Sequence, residues 1–110
     1  GRAKDLIISG GLNVYPIEVE QVLNECPMIL ETAVIGVPHV DFGEAVIAIV
    51  TVRDGKEFDE AQIREFCRER VANFKLPKKV IVLDDLPRNV MGKVQKNLLR
   101  ERYSELMNDD

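Results

Sequence analysis

Lys93 is the residue of this sequence best set to do chemistry. It closes the run Pro87-Arg88-Asn89-Val90-Met91-Gly92-Lys93, with Val94-Gln95-Lys96 behind it. Pro87 fixes its own φ, Gly92 tolerates positive φ, and Asn89 is a turn former, so the lysine is expected to project from a loop. An ammonium on a four-carbon stem is a mobile point charge, suited to phosphate oxygens and to charge that develops during a reaction. A Walker phosphate loop does not fit. Pro87 stands where its first glycine belongs, and Val94 where a magnesium-binding hydroxyl is needed. By itself, a lysine on such a turn is an ordinary solvated charge.

A second motif at the other end of the chain changes that weighting. It reads Gly1-Arg2-Ala3-Lys4-Asp5-Leu6-Ile7-Ile8-Ser9-Gly10-Gly11, then Pro16-Ile17-Glu18-Val19-Glu20. Together the two stretches resemble the signature motifs of the C-terminal domain of adenylate-forming enzymes, the superfamily of acyl-CoA synthetases, adenylation domains and luciferases. Within it, the run Leu86 to Lys96 is most similar to that of malonyl-CoA synthetases.

The resemblance implies a division of labour. Lys93 matches the lysine that assists attack of a carboxylate on the α-phosphate of ATP. Lys4 falls at the hinge about which the domain rotates, so residues 1–4 form a hinge or linker. Gly10 and Gly11 match the hairpin that lines the pantetheine tunnel when the thiol of CoA displaces AMP. Arg2 matches a residue near the nucleotide ribose. ATP with magnesium and CoA are thus the implied co-substrates of a parent enzyme, with the chain's own large N-terminal domain as partner. The isolated domain is expected to hold none of them and to be catalytically silent. The resemblance also implies that Lys93 is a target for a protein lysine acetyltransferase and deacetylase.

Several elements must position these residues. Leu6 to Ile8 and Leu12 to Val14 flank the glycine pair as a hairpin. Pro16 suits the first turn of a helix, with Glu18 and Glu20 near its positive end, and Pro27 is expected to stop it. Val19, Val22, Leu23 and Cys26 make its apolar stripe. Two β-rich segments follow, Ile29 to Pro38 and Glu44 to Val52, joined by a turn-forming loop that holds His39. The second segment is apolar on both faces, as a central strand would be.

Asp59 and Gln62 resemble a capping box that opens a second helix, striped by Ile63, Phe66, Cys67, Val71 and Phe74. Lys79 to Leu83 reads as a third long strand. A last helix runs from about Gln95 to Met107, with Leu98, Leu99, Tyr103 and Leu106 inward. The fold class is therefore α+β: a small mixed sheet of about three main strands, with an N-terminal β-hairpin and three helices.

At 110 residues the chain holds one domain with one modest core. A formal net charge of −4 argues against nucleic-acid binding, and no apolar run is long enough for a membrane. The charge is uneven. Residues 75–102 carry eight basic and three acidic side chains, while residues 1–74 carry seven and thirteen, so the basic half is expected to face phosphates. Cys26 and Cys67 lack metal-site spacing and His39 is the single histidine, so no metal site is expected. The two read as buried reduced thiols of a cytoplasmic protein.

The absence of an initiator Met and the linker-like start suggest an excised domain. Three readings follow: the mobile domain of an acyl-CoA synthetase or another acyl/aryl-CoA ligase, a substrate of lysine acetylation, and a stand-alone ligand-binding module. The first is preferred. The identity of the acid, and the choice between CoA and a carrier-protein thiol, are open at this point.

Overall fold

The computed structural model describes residues 5–108. A two-stranded hairpin, β1 (Ile7–Ser9) and β2 (Leu12–Val14), precedes helix α1 (Pro16–Leu23). Strands β3 (Ile29–His39) and β4 (Gly43–Val52) follow, then α2 (Glu60–Arg68), a 3-10 turn at Asn73–Lys75, β5 (Lys79–Val82) and α3 (Lys96–Arg102). The main sheet has the order β3-β4-β5. The first pair is antiparallel and the second parallel, so the expected small mixed sheet is what forms.

The apolar run of β4 explains the layering. Val46, Ala48 and Val50 enter one core with Val19, Leu23, Ile63 and Cys67 from α1 and α2, joined by Ile7 and Val14 of the hairpin. Ala45, Ile47 and Ile49 face the other side, where Leu86 and Leu99 cover them. Alternate residues of a strand point to opposite faces, so a strand buried on both must be apolar throughout. The Ala45 to Val50 stretch of β4 meets that demand.

Carboxylates finish the outer strands. Glu20 Oε2 accepts the Val34 N–H of β3 at 2.9 Å, and Glu60 Oε2 accepts the Val80 N–H of β5 at 2.9 Å. Glu44 Oε1 takes the Ile8 N–H of the hairpin at 2.8 Å. Gly36 lets the hairpin sit down on the sheet. A β-carbon there would lie 3.0 Å from Ile7 Cγ1 and 2.9 Å from Glu44 Oε2.

Each helix is shorter than its apolar pattern suggests. α1 ends at Leu23, and Cys26 is buried from the turn that follows rather than from the helix. Pro27 therefore does not terminate it. α2 begins as expected, with Asp59 Oδ1 accepting the Gln62 N–H at 3.1 Å, but it ends at Arg68. Both Arg70 and Val71 donate to the Cys67 carbonyl, and Ala72 is extended, so Phe74 leaves the stripe and stands 39% exposed. α3 ends at Arg102 and continues as turns. Leu99 is buried, whereas Leu98, expected inward, is 42% exposed. The loop between β3 and β4 shrinks to Val40–Phe42, because the imidazole Nδ1 of His39 accepts the N–H groups of Asp41 and Phe42 and tightens it.

Candidate functional site

Two sequence-predicted sites fall within the described residues, and they are built differently. The first is the loop that carries Lys93. Arg88 and Val94 form an antiparallel bridge, and the Gln95 N–H donates to the Pro87 carbonyl at 2.8 Å. Asn89 organises the interior. Its Oδ1 accepts the N–H groups of Met91 (2.9 Å) and Lys93 (3.0 Å), and its own N–H donates to the Lys93 carbonyl at 3.0 Å. Gly92, at φ 85°, makes the turn that only glycine adopts without strain.

The backbone of Lys93 is thus fixed at both its N–H and its carbonyl, while its side chain is exposed. Among the ion pairs of the described residues, Lys93 takes no part. The other cations of the loop are engaged. Arg88 pairs with Glu31 of β3 and, at 3.2 Å, with Asp85. Lys96 Nζ lies 2.7 Å from Glu20. The loop is therefore braced, and it leaves one ammonium available.

The second site is the glycine turn. Ser9 pairs with Leu12, which leaves Gly10 (φ 59°) and Gly11 (φ 82°) as a two-residue loop. Positive φ at both positions is what a type I′ hairpin turn demands. The Gly10 N–H donates to the Phe42 carbonyl at 2.9 Å, which ties the hairpin to the β3–β4 turn. A β-carbon on Gly11 would meet no atom within 4 Å, so the turn presents bare backbone to open space.

Beside it lies a groove of about 230 Å³, walled by Ser9, Gly10, Leu12, Phe42, Phe74 and Lys78. Lys78 Nζ sits 4.6 Å from the centre of the Phe42 ring. Two half-exposed rings and an ammonium suit a ligand with an aromatic base and phosphate groups. Sequence reasoning missed Phe42, Phe74 and Lys78. Phe74 was assigned to a helix stripe, and the other two come together only through the sheet.

Lys4 and Arg2, the expected hinge and nucleotide residues, lie outside the described residues. Asp5, the first described residue, pairs with Arg100 of α3 at 3.3 Å and so ties the start of the domain to its last helix. Cys26 and Cys67 are free and buried. Burial, aided by the neighbouring Cys26, pushes the Cys67 thiol up to about 11. Among the described residues, no group of three or more His, Cys, Asp or Glu is placed to hold a metal ion. No helix there is long and apolar enough to cross a membrane.

The comparisons with known proteins define the class. Residues 18–93 match the family model of the AMP-binding enzyme C-terminal domain, and the chain belongs to that family. It is 53% identical over 103 residues to a long-chain-fatty-acid–CoA ligase of Mycobacterium tuberculosis, a match covering 94% of this chain and 20% of that protein. It is 42% identical over 103 residues to a 2-succinylbenzoate–CoA ligase of Listeria monocytogenes, covering 94% of this chain and 22% of that one. Among solved structures, ATP-bound MatB of Rhodopseudomonas palustris matches with a TM-score of 0.95 and 55% identity, over 97% of this chain and 21% of that one. The chain thus spans about a fifth of the length of the relatives it matches.

Proposed function

We propose that this chain is the mobile C-terminal domain of an AMP-forming acyl-CoA ligase, serving two half-reactions with two different surfaces. One observation carries the reading. The loop of Lys93 is rooted through Arg88 at Glu31 of β3 and packs Leu86 and Val94 on the α3 side of the sheet. The glycine hairpin is rooted at Phe42, beside the His39 end of β3, and packs Ile7 and Val14 on the other side. Eight residues of strand separate the two roots, roughly 26 Å at ~3.3 Å per residue. Two such surfaces cannot serve one small reaction centre in one orientation. Rotation of the domain about residues 1–4, with Lys4 as pivot, would present them in turn.

In the first orientation Lys93 acts on the adenylation step. A carboxylate attacks the α-phosphate of ATP, pyrophosphate leaves, and an ammonium offsets the charge gathered on the phosphoryl oxygens, an effect of about 3 kcal/mol for one well-placed donor. Lys93 is free to do so because the other cations of its loop are paired. In the second orientation the Gly10–Gly11 turn lies along the thiol carrier, and the groove of Phe42, Phe74 and Lys78 receives the nucleotide end of CoA. Magnesium, which the resemblance implies, finds no fitting acidic cluster among the described residues.

The acid is proposed to be malonate or another short acid, from the likeness of the Leu86 to Lys96 run to malonyl-CoA synthetases. The relatives' names span fatty, succinylbenzoic and indoleacetic acids, which supports an acid pocket elsewhere than in this shared domain. A cytoplasmic setting suits two reduced thiols. The exposed Lys93 also supports the second reading, as the substrate of a lysine acetyltransferase, since acetylation would remove the charge that adenylation uses.

The test is Lys93→Ala in a full-length ligase that carries this domain. Pyrophosphate release from ATP and acid should fall by about 10² or more, while thioester formation from supplied acyl-adenylate persists. Adenylation at the wild-type rate would refute the reading.

A further inference from the structure

Lys96 is an electrostatic oddity. It is the first residue of α3, at the positive end of the helix, and no acidic residue occupies that first turn. A cation there is disfavoured unless an anion answers it. Glu20 does, at 2.7 Å, from the far side of the β3 edge, and both side chains are more than four-fifths shielded from solvent. The same carboxylate oxygen receives the Val34 N–H of β3. Glu20 therefore clamps three elements at one point: α1, the edge strand, and the residue three places beyond Lys93.

The opposite foot of the loop is held on the same strand, where Arg88 pairs with Glu31 and donates from Nε to the Gly92 carbonyl at 3.2 Å. Between these feet the Asn89 network makes the backbone nearly rigid. Where Lys93 stands is thus set by how the feet are seated, and the foot three residues beyond Lys93 is seated by Glu20. We propose that Glu20 is a positioning residue for Lys93, acting through Lys96 and the edge of β3. This rests on the reading of Lys93 as the adenylation lysine.

The test uses a full-length ligase carrying this domain, with adenylation (pyrophosphate release) and thioester formation from supplied acyl-adenylate measured separately, beside the melting temperature. Glu20→Gln keeps an acceptor for the Val34 N–H but loses the charge that holds Lys96, and Lys96→Gln breaks the pair from the other side. Each should lower kcat for adenylation about tenfold, as a displaced catalytic group does, with the KM for ATP and the thioester step near wild type. The double variant should be no worse than either single one, because both remove the same contact.

Adenylation at the wild-type rate in both single variants would overturn the proposal. So would equal losses in both half-reactions, which would make Glu20 merely a stabilising residue. Should Glu20→Gln fail to fold, Lys96→Gln decides by the same two rates. Lys93→Ala, run in parallel, separates the two levels. Full adenylation there refutes the role of Lys93 itself, whereas a silent Lys93→Ala beside a normal Lys96→Gln refutes only the positioning by Glu20.

Discussion

Lys93 and Gly11 belong to opposite ends and opposite faces of one three-stranded sheet, the first on a loop seated at Glu31 and the second on a hairpin tied to Phe42. Damage to one should leave the chemistry of the other standing.

Gly11→Leu in a full-length ligase should spare pyrophosphate release and depress thioester formation. The new side chain would project into space that no atom of this domain fills, and the residue would also be strained at φ 82°. Separate assays of the two steps check this. An equal fall in both would mean that the hairpin had misfolded.

Lys78→Ala should raise the KM for CoA about tenfold, the worth of one charge-assisted contact to a phosphate, while leaving the KM for ATP unchanged. Lys78 lies against Phe42 in the groove beside Gly10. An unaltered CoA dependence would place the nucleotide of CoA elsewhere.

Gly36→Ala should destabilise the domain by about 1–3 kcal/mol, as other overpacked sites are. Its β-carbon would press on Ile7, which is 1% exposed and cannot move aside, and on the carboxylate of Glu44 that holds the Ile8 N–H. Urea denaturation of the purified domain measures it. A midpoint equal to that of the parent chain would mean that the hairpin lifts without cost.

Stability should also fall in alkali through Cys67. Its folded pKa is raised above the unfolded one, because burial disfavours the thiolate, so the contribution is complete below pH 9 and is lost as pH rises towards about 11. Urea midpoints taken across that window should decline more steeply for the parent chain than for Cys67→Ala. Identical slopes would show that the thiol does not contribute.

The fold was legible where one local rule decided it. β4 had to be central because its stretch from Ala45 to Val50 is apolar on both faces, and Asp59 had to open a helix because its side chain reaches the Gln62 N–H. Helix ends were misjudged because apolar periodicity runs on after the backbone has turned. Cys26 and Val71 are covered by the core from turns, a case that a 3.6-residue pattern does not distinguish from helix.

The site divided in the same way. The turns of Lys93 and the glycine pair were visible in the sequence, and the family resemblance gave them their expected roles, but the clamp between Glu20 and Lys96 spans 76 residues, and the groove joins residues of the hairpin, the β3–β4 turn and the segment before β5. Only the sheet brings these together. Sequence spacing could not.

The carboxylates on the outer strands carry one last consequence. A sheet edge with free N–H groups is a template for aggregation. Here Glu20 occupies the Val34 N–H of β3, and Glu60 occupies the Val80 N–H of β5. Pro38, four residues beyond Val34 and so facing the same outer side, has no N–H to offer. A further strand from another molecule would have to displace a bound carboxylate on either flank before it could register. Both flanks of the sheet are thereby guarded against strand-by-strand association.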